Sequence, residues 1–286
     1  MPKKLKFTIG DITIGIDWKD RPRELEIPPA YRPFVGHGNP DLRLVLHMGF
    51  PDIQLGETVF DSAPVWSLHR HGSGSIIKIN HDFADTARLL ALPGDQAPAG
   101  LYFAGPDGKF MDPFFGPTME LLMINYLARG NGVIIHGCGI DCAGTGLLFA
   151  GESGAGKSTL ANLWDRTDGA DVLSDDRTLV RQIGGELRMF GTPWHGEAKF
   201  GSARGIRLEK IFFLQHGPKN QIQPLAASGS VQKLLQSSFP PYWDAAGMAY
   251  TMVFFEELAT RVSCHELSFE PDGKVIDFVK RYIDLE

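Results

Sequence analysis

The feature that most restricts this 286-residue chain is GESGAGKSTL at residues 151–160, preceded by the apolar run LLFA and followed by LANLWDR. The spacing G-x-x-x-x-G-K-[ST] wraps backbone amides around phosphate only where a strand runs into the loop and a helix runs out of it. Both flanks meet that condition, with Lys157 opening a helical segment that ends near Trp164. Gly151, Gly154 and Gly156 remove Cβ atoms that would block close approach, and the successive amides form an anion nest at a helix N-terminus. The residues expected to bind nucleotide are Gly151, Glu152, Ser153, Gly154, Ala155, Gly156, Lys157, Ser158 and Thr159. Lys157 would reach the β and γ phosphates of ATP, and the Ser158 hydroxyl would ligate Mg²⁺. A glycine-rich turn without function has the same spacing, so the rest of the chain must supply the chemistry.

Mg²⁺ needs further oxygen ligands and an attacking hydroxyl needs a base. The adjacent carboxylates Asp175 and Asp176 in VLSDDRTLV are the candidates for both. A helix of about ten residues carries the chain roughly 15 Å from the loop, and an extended return at about 3.3 Å per residue recovers that distance in four or five residues. The pair can therefore land beside the phosphates. Two carboxylates in the middle of a β run are disfavoured by propensity, a cost more easily explained by a ligand than by a solvated strand end. His136 lies in the strand VIIHGCG, expected to pair with the strand that feeds the loop. A histidine so placed is either a hydrogen-bonded core residue or a neighbour of the reacting groups. The sequence GTPWHGEAKFGSARGIRLEK carries Lys199, Arg204 and Arg207, candidate cations for a transferring phosphoryl group, in a loop whose glycines would let it close. HRH at 69–71 and the pair Cys138 and Cys142 are weak metal signals, because neither has a second set of ligands.

The net charge of −6 argues against a broad basic surface for nucleic acid or anionic lipid. Three cysteines are too few for a disulfide framework. The N-terminus MPKKLKFTIGDITIGIDWKD lacks the long apolar stretch of a signal peptide, and no run of about 18 apolar residues occurs. A cytoplasmic protein that touches neither nucleic acid nor membrane is the expectation, and a homo-oligomer is compatible with it.

Residues 1–111 read as a β-rich region, with LKFTIGDITIGI, LRLVLHM, PVWSLHR, SIIKINH and AGLYFAG as strands. Five prolines and two glycines in RPRELEIPPAYRPFVGHGNPD argue against a regular element there. A helix is expected in GPTMELLMINYLARGNG, near the start of a second domain at 112–286. That domain reads as mixed α/β: a hairpin, the loop and its helix, further strands around a Gly184–Gly185 turn, a strand in IRLEKIFFLQHG, two helices, and a closing strand and amphipathic helix.

The histidine-bearing strand, the hairpin, the Walker A loop and the double aspartate at short distance resemble the HPr kinase/phosphorylase family over residues 117–280. The resemblance implies a P-loop, phosphoenolpyruvate-carboxykinase-like kinase core and an ATP- and Mg²⁺-dependent transfer to a hydroxyl, such as a serine of a peptide or small protein, or a small metabolite. Under it Ser158 and Asp175 hold the metal, Asp176 is the base and His136 orients or tunes it. HPr kinases usually carry glutamate where this chain has Thr159, and residues 1–111 do not resemble their accessory domain. A nucleotide-binding regulator without transferase activity, and carboxykinase chemistry on an organic acid, stay open at this stage. No transporter signature such as LSGGQ follows the loop. The β-rich region is expected to govern the choice of acceptor.

Overall fold

Alternating apolar residues at the start of the chain build its first sheet. The computed structural model describes residues 4–18, 27–80, 88–94, 97–103 and 117–284. Strands β1 (Lys4–Ile9), β2 (Ile12–Trp18), β3 (Leu42–Met48), β4 (Thr58–Ser62), β5 (Trp66–His71), β6 (Gly74–Ile79), β7 (Arg88–Leu92) and β8 (Ala99–Phe103) form one sheet in the order β1-β2-β3-β8-β7-β6-β5-β4. The β2–β3 and β3–β8 pairs are parallel, and the others are antiparallel. Ile14, Ile16, Leu44, Leu90 and Leu101 are fully buried on it. Two strands, β4 and β7, had not been anticipated. The proline-rich stretch expected to be irregular holds a 3-10 helix over Pro29–Phe34, with Tyr31 and Phe34 buried. Proline at its first position lacks only an amide that a helix start leaves unbonded anyway. The expected domain start near residue 112 lies outside the described residues.

By contacts the chain divides into two compact units, 1–125 with 242–244, and 126–241 with 245–286. In the first, Trp243 meets Trp66 edge-on at 5.0 Å and its indole donates to Asn125 Oδ1 at 3.1 Å. Helix α1 (Thr118–Leu127) spans the expected segment.

The second unit contains β9 (Val133–Cys142), β10 (Thr145–Ala150), α2 (Lys157–Asp165), β11 (Ala170–Ser174), β12 (Arg177–Ile183), β13 (Glu186–Phe190), β14 (Gly205–His216), β15 (Gln221–Pro224), α3 (Ala227–Gln236), α4 (Ala245–Arg261), β16 (Ser263–Phe269) and α5 (Lys274–Asp284). Its strands are ordered β10-β9-β12-β13-β14-β16-β15, with β11 also beside β9 and β10 also beside β14. The chain is thus mixed α/β, with two large mixed sheets. Four consecutive residues of β10 explain the layering. Leu147 and Phe149 face the cluster under α2 and α5, and Leu148 and Ala150 face the cluster under α3 and α4. A strand covered on both faces reads as a continuous apolar run, as LLFA does.

The strands on either side of the acidic pair behave as one bent strand along β9. Partner β11 matches residues 139–142 and β12 matches residues 133–136, and the bend falls at Asp175 and Asp176. There side chains leave the alternation of a regular strand, and both carboxylates can lie on the same side of the sheet.

At the other end of the loop, Gly156 caps α2 with φ +96°, and a Cβ there would stand 2.8 Å from Cζ of Phe269. Gly154 also has positive φ, +83°, but nothing lies within 4 Å of a Cβ built on it. Gly154→Ala should therefore cost only the left-handed backbone term, about 1–2 kcal/mol, and Gly156→Ala should cost about 1–3 kcal/mol more through overpacking against Phe269. Chemical denaturation of the two variants checks the order. Equal losses would show that the Phe269 ring gives way.

Candidate functional site

The site is assembled on two consecutive residues of β9. Gly151 N donates to His136 O at 3.2 Å, Gly137 N donates to Asp176 O at 2.9 Å, and His136 N donates to Ser237 O at 2.7 Å. The start of the glycine-rich loop, the acidic pair and the segment after α3 thus meet where the hairpin partner β10 ends opposite Gly137. The expected pairing of the histidine strand with the strand feeding the loop is observed.

At that junction His136 Nε2 lies 2.8 Å from Asp176 Oδ1. Arg177 Nη1 pairs with Asp176 Oδ2. Asp176 keeps 18% of its side chain exposed. Asp175 is buried and accepts from Gly196 N at 3.0 Å on Oδ1 and from Ala198 N at 2.9 Å on Oδ2. The two aspartates are accordingly unlike: one ties down the 196–198 loop, and the other is half-buried between a histidine and an arginine. Gly196 sits so close that a Cβ would be 3.0 Å from Asp175 Oδ2.

Lys157 is buried at the first position of α2, and its ammonium donates to Gly151 O at 2.8 Å and Glu152 O at 2.7 Å. Burial, with a smaller contribution from the Arg177 charge, lowers its pKa to about 8, from an ordinary 10.5. The buried Cys138 thiol is pushed well up by burial first and then by Asp175, while Lys157 opposes the rise. Glu152, Ser153, Gly154 and Thr159 are exposed, and Ala155, Gly156 and Ser158 are half-buried. The loop therefore presents its outer backbone and the first turn of a nine-residue helix to solvent.

A pocket of ≈ 360 Å³ opens against this outer face, between residues 151–155, the end of β14 at Phe213–His216, and Lys233, Gln236 and Ser237 from α3 and its end. His216 Nε2 lies 2.8 Å from Gly154 O, and Lys233 pairs with Glu266 at 2.9 Å. Residues 151–155 of this lining are expected from the sequence, and the others are not, because they lie about 60 to 85 residues beyond the loop with no motif of their own. Arg177 carries no motif of its own either, although it directly follows the acidic pair in SDDR.

The three candidate clamp cations separate. Exposed Lys199 follows directly on the amides that hold Asp175, at φ +63°. Arg204 and Arg207 are not brought to the loop. Arg204 bonds Asp171 at 2.5 Å and Asp141 at 2.8 Å, and Arg207 pairs with Glu209 at 3.1 Å. Asp141 opposes Gly146, and Gly146 opposes Leu208, so both arginines sit at the end of the hairpin where β10 starts. The loop leaves from its other end. Of the weak metal signals, His69 has its two ring nitrogens near Thr58 and Ser67 hydroxyls, and Cys138 and Cys142 are buried in the cluster under α2. Among the described residues no group of three or more His, Cys, Asp or Glu side chains comes together to hold a metal. No helix among them is long and apolar enough to cross a membrane.

Fold and site together define a mixed α/β protein with a glycine-rich strand-to-helix loop beside a His–Asp–Arg cluster. The family model described as "SynChlorMet cassette protein ScmC" matches residues 118–264, just over half of the chain, and the chain belongs to this family. No curated protein matches. Among solved structures, the HPr(Ser) kinase/phosphatase from Coxiella burnetii is similar at 16% identity, over 44% of this chain and 92% of that one, with a TM-score of 0.24. The matching family model is thus ScmC rather than HPr kinase, and the structural likeness is too loose to carry an argument about chemistry.

Asp175→Asn replaces an acceptor oxygen by a donor and should speed hydrogen exchange at the amides of Gly196 or Ala198 by about tenfold or more, given the strength of bonds to charged acceptors. Asp176→Asn should leave those amides unchanged. Equal protection in both variants would mean that other contacts hold the loop.

Proposed function

We propose that this protein is an ATP- and Mg²⁺-dependent phosphotransferase that moves the γ-phosphoryl group to a hydroxyl acceptor, a serine of a peptide or small protein or a small metabolite. The observation that carries the reading is the Asp176–His136 pair, held on the residues of β9 that also bond the first residue of the glycine-rich loop. That pairing supports a base beside the loop that would cradle the phosphates through residues 151–159.

In this reading the acceptor hydroxyl gives its proton to Asp176. Its oxygen bonds to the γ phosphorus as the β–γ bridging bond breaks, and ADP leaves. Asp176 suits the role because its carboxylate is partly exposed, whereas Asp175 is wholly buried. Ser158 and Asp175 are the residues that would hold Mg²⁺, whose charge offsets that of the phosphates. Ser158 offers a half-buried hydroxyl to a hard cation that keeps several waters, whereas Asp175, wholly buried with both oxygens accepting amides, presents no open oxygen in this structure. Lys157, a buried ammonium bonded only to neutral carbonyls among its described contacts, supplies a cation that a phosphate would stabilise.

Lys157→Ala should lose most MgATP affinity in calorimetric titration while its circular dichroism stays that of wild type. Unchanged affinity in a folded variant would remove the phosphate-loop reading.

The lowered pKa adds a signed test. Bound phosphate favours the charged amine and raises its pKa above about 8, so at pH 8–9 wild type should take up protons on binding MgATP. Titration in two buffers of different ionisation enthalpy reads this uptake. Net proton release in wild type would contradict the assignment.

Asp176→Asn should keep MgATP affinity and cut ATP turnover by about 10²-fold or more, the range assigned to general base catalysis. Turnover at the wild-type rate would show that Asp176 is structural.

A further inference from the structure

The carboxylate assigned as base is held by side chains whose own placement needs explaining. An aspartate fixed through one oxygen still rotates about its terminal torsion, which has a broad, two-fold profile. Here His136 is on Oδ1 and Arg177 is on Oδ2, so the group is held from both ends. Both of these side chains meet a third. The ring of Phe239 lies 5.7 Å from the His136 ring, and the Arg177 guanidinium sits over the Phe239 face at 4.5 Å from the centroid.

Phe239 is itself fixed by main chain. It donates to Ile134 O at 3.1 Å, Ser238 bridges to Ile135, and Ser237 O accepts from His136 N at 2.7 Å. Residues 237–239 thus run along β9 where β10 has turned away into the glycine-rich loop. The backbone that carries the ring cannot shift without breaking the pairing that also bounds the pocket at Ser237.

We infer that Phe239 is the positioning residue of this site: its face locates the Arg177 guanidinium, and its tilted contact locates the His136 ring, so that Asp176 is presented to the acceptor in one orientation. The inference rests on the phosphotransferase reading for its consequence, though not for its geometry. A planar guanidinium over an aromatic face is favoured by the ring quadrupole and by weak hydration of the cation. An aliphatic side chain of similar bulk fills the space without orienting anything. Catalysis is sensitive to this, because a misplacement of about 1 Å can cost on the order of 10²-fold in rate.

The test compares Phe239→Leu, which keeps apolar bulk, with Phe239→Tyr, which keeps the ring face. With MgATP as the probe, Phe239→Leu should lower kcat by about tenfold or more and leave KM for ATP within about twofold, and Phe239→Tyr should restore kcat to near the wild-type value. In parallel, the ¹⁵Nε–H signal of Arg177 is recorded without nucleotide. Loss of the ring should move it downfield in Phe239→Leu and leave it near its wild-type position in Phe239→Tyr. Wild-type kcat in Phe239→Leu, equal impairment of both variants, or an Arg177 signal that ignores the ring would each overturn the inference. If wild type neither binds nor consumes MgATP, the phosphotransferase reading falls. The Arg177 signal then decides the positioning claim alone.

Discussion

The arrangement of the second unit depends on the main chain of His136 and Gly137. These two residues bond the first glycine of the loop, the second aspartate of the acidic pair and the segment after α3. Strand β9 can do this because it changes partners along its length. On one edge residues 137–142 pair with β10 and on the other residues 139–142 pair with β11 and 133–136 with β12, so the hydrogen-bonding capacity freed where β10 turns away is taken up by Gly151 and Ser237. Buried backbone groups must find partners, and here the partners are the pieces of the site.

Charge is distributed to match. At the loop end the structure buries Lys157 and Asp175 and half-buries Asp176 between His136 and Arg177. Such groups are costly unless paired or bonded, and each has its bonds: carbonyls for the ammonium, amides for one carboxylate, a ring nitrogen and a guanidinium for the other. At the opposite end of the hairpin, Arg204 joins Asp141 and Asp171 across neighbouring strands, an arrangement that fastens β9 to β11. Cations that look equivalent in the sequence therefore divide between holding strands together and setting up a site.

What was legible followed from local patterns. The loop with its flanking strand and helix, the His136 strand, the Gly184–Gly185 hairpin and the closing helix α5 are each written in periodicity or turn residues within about twenty positions. The short strands β4, β7 and β15 were not, since four or five residues carry too little pattern to be distinguished from loop. Nor was the 3-10 helix among the prolines, where local composition argues for irregular chain and only the burial of Tyr31 and Phe34 makes a turn of helix worthwhile.

The sequence by itself determined that residues 151–156 form a loop between a strand and a helix that Lys157 opens, and that a histidine and two aspartates could reach it, because spacing and element lengths bound how far the chain travels. Only the tertiary structure decided which aspartate is buried under backbone amides and which is presented between His136 and Arg177. It likewise decided that Phe239, forty residues beyond Lys199, meets Arg177 while Arg204 and Arg207 pair with carboxylates at the far end of the hairpin. Those outcomes depend on strand register. A pairing chosen by burial across the whole sheet sets which end of a hairpin a residue occupies, and no local pattern around the residue encodes it.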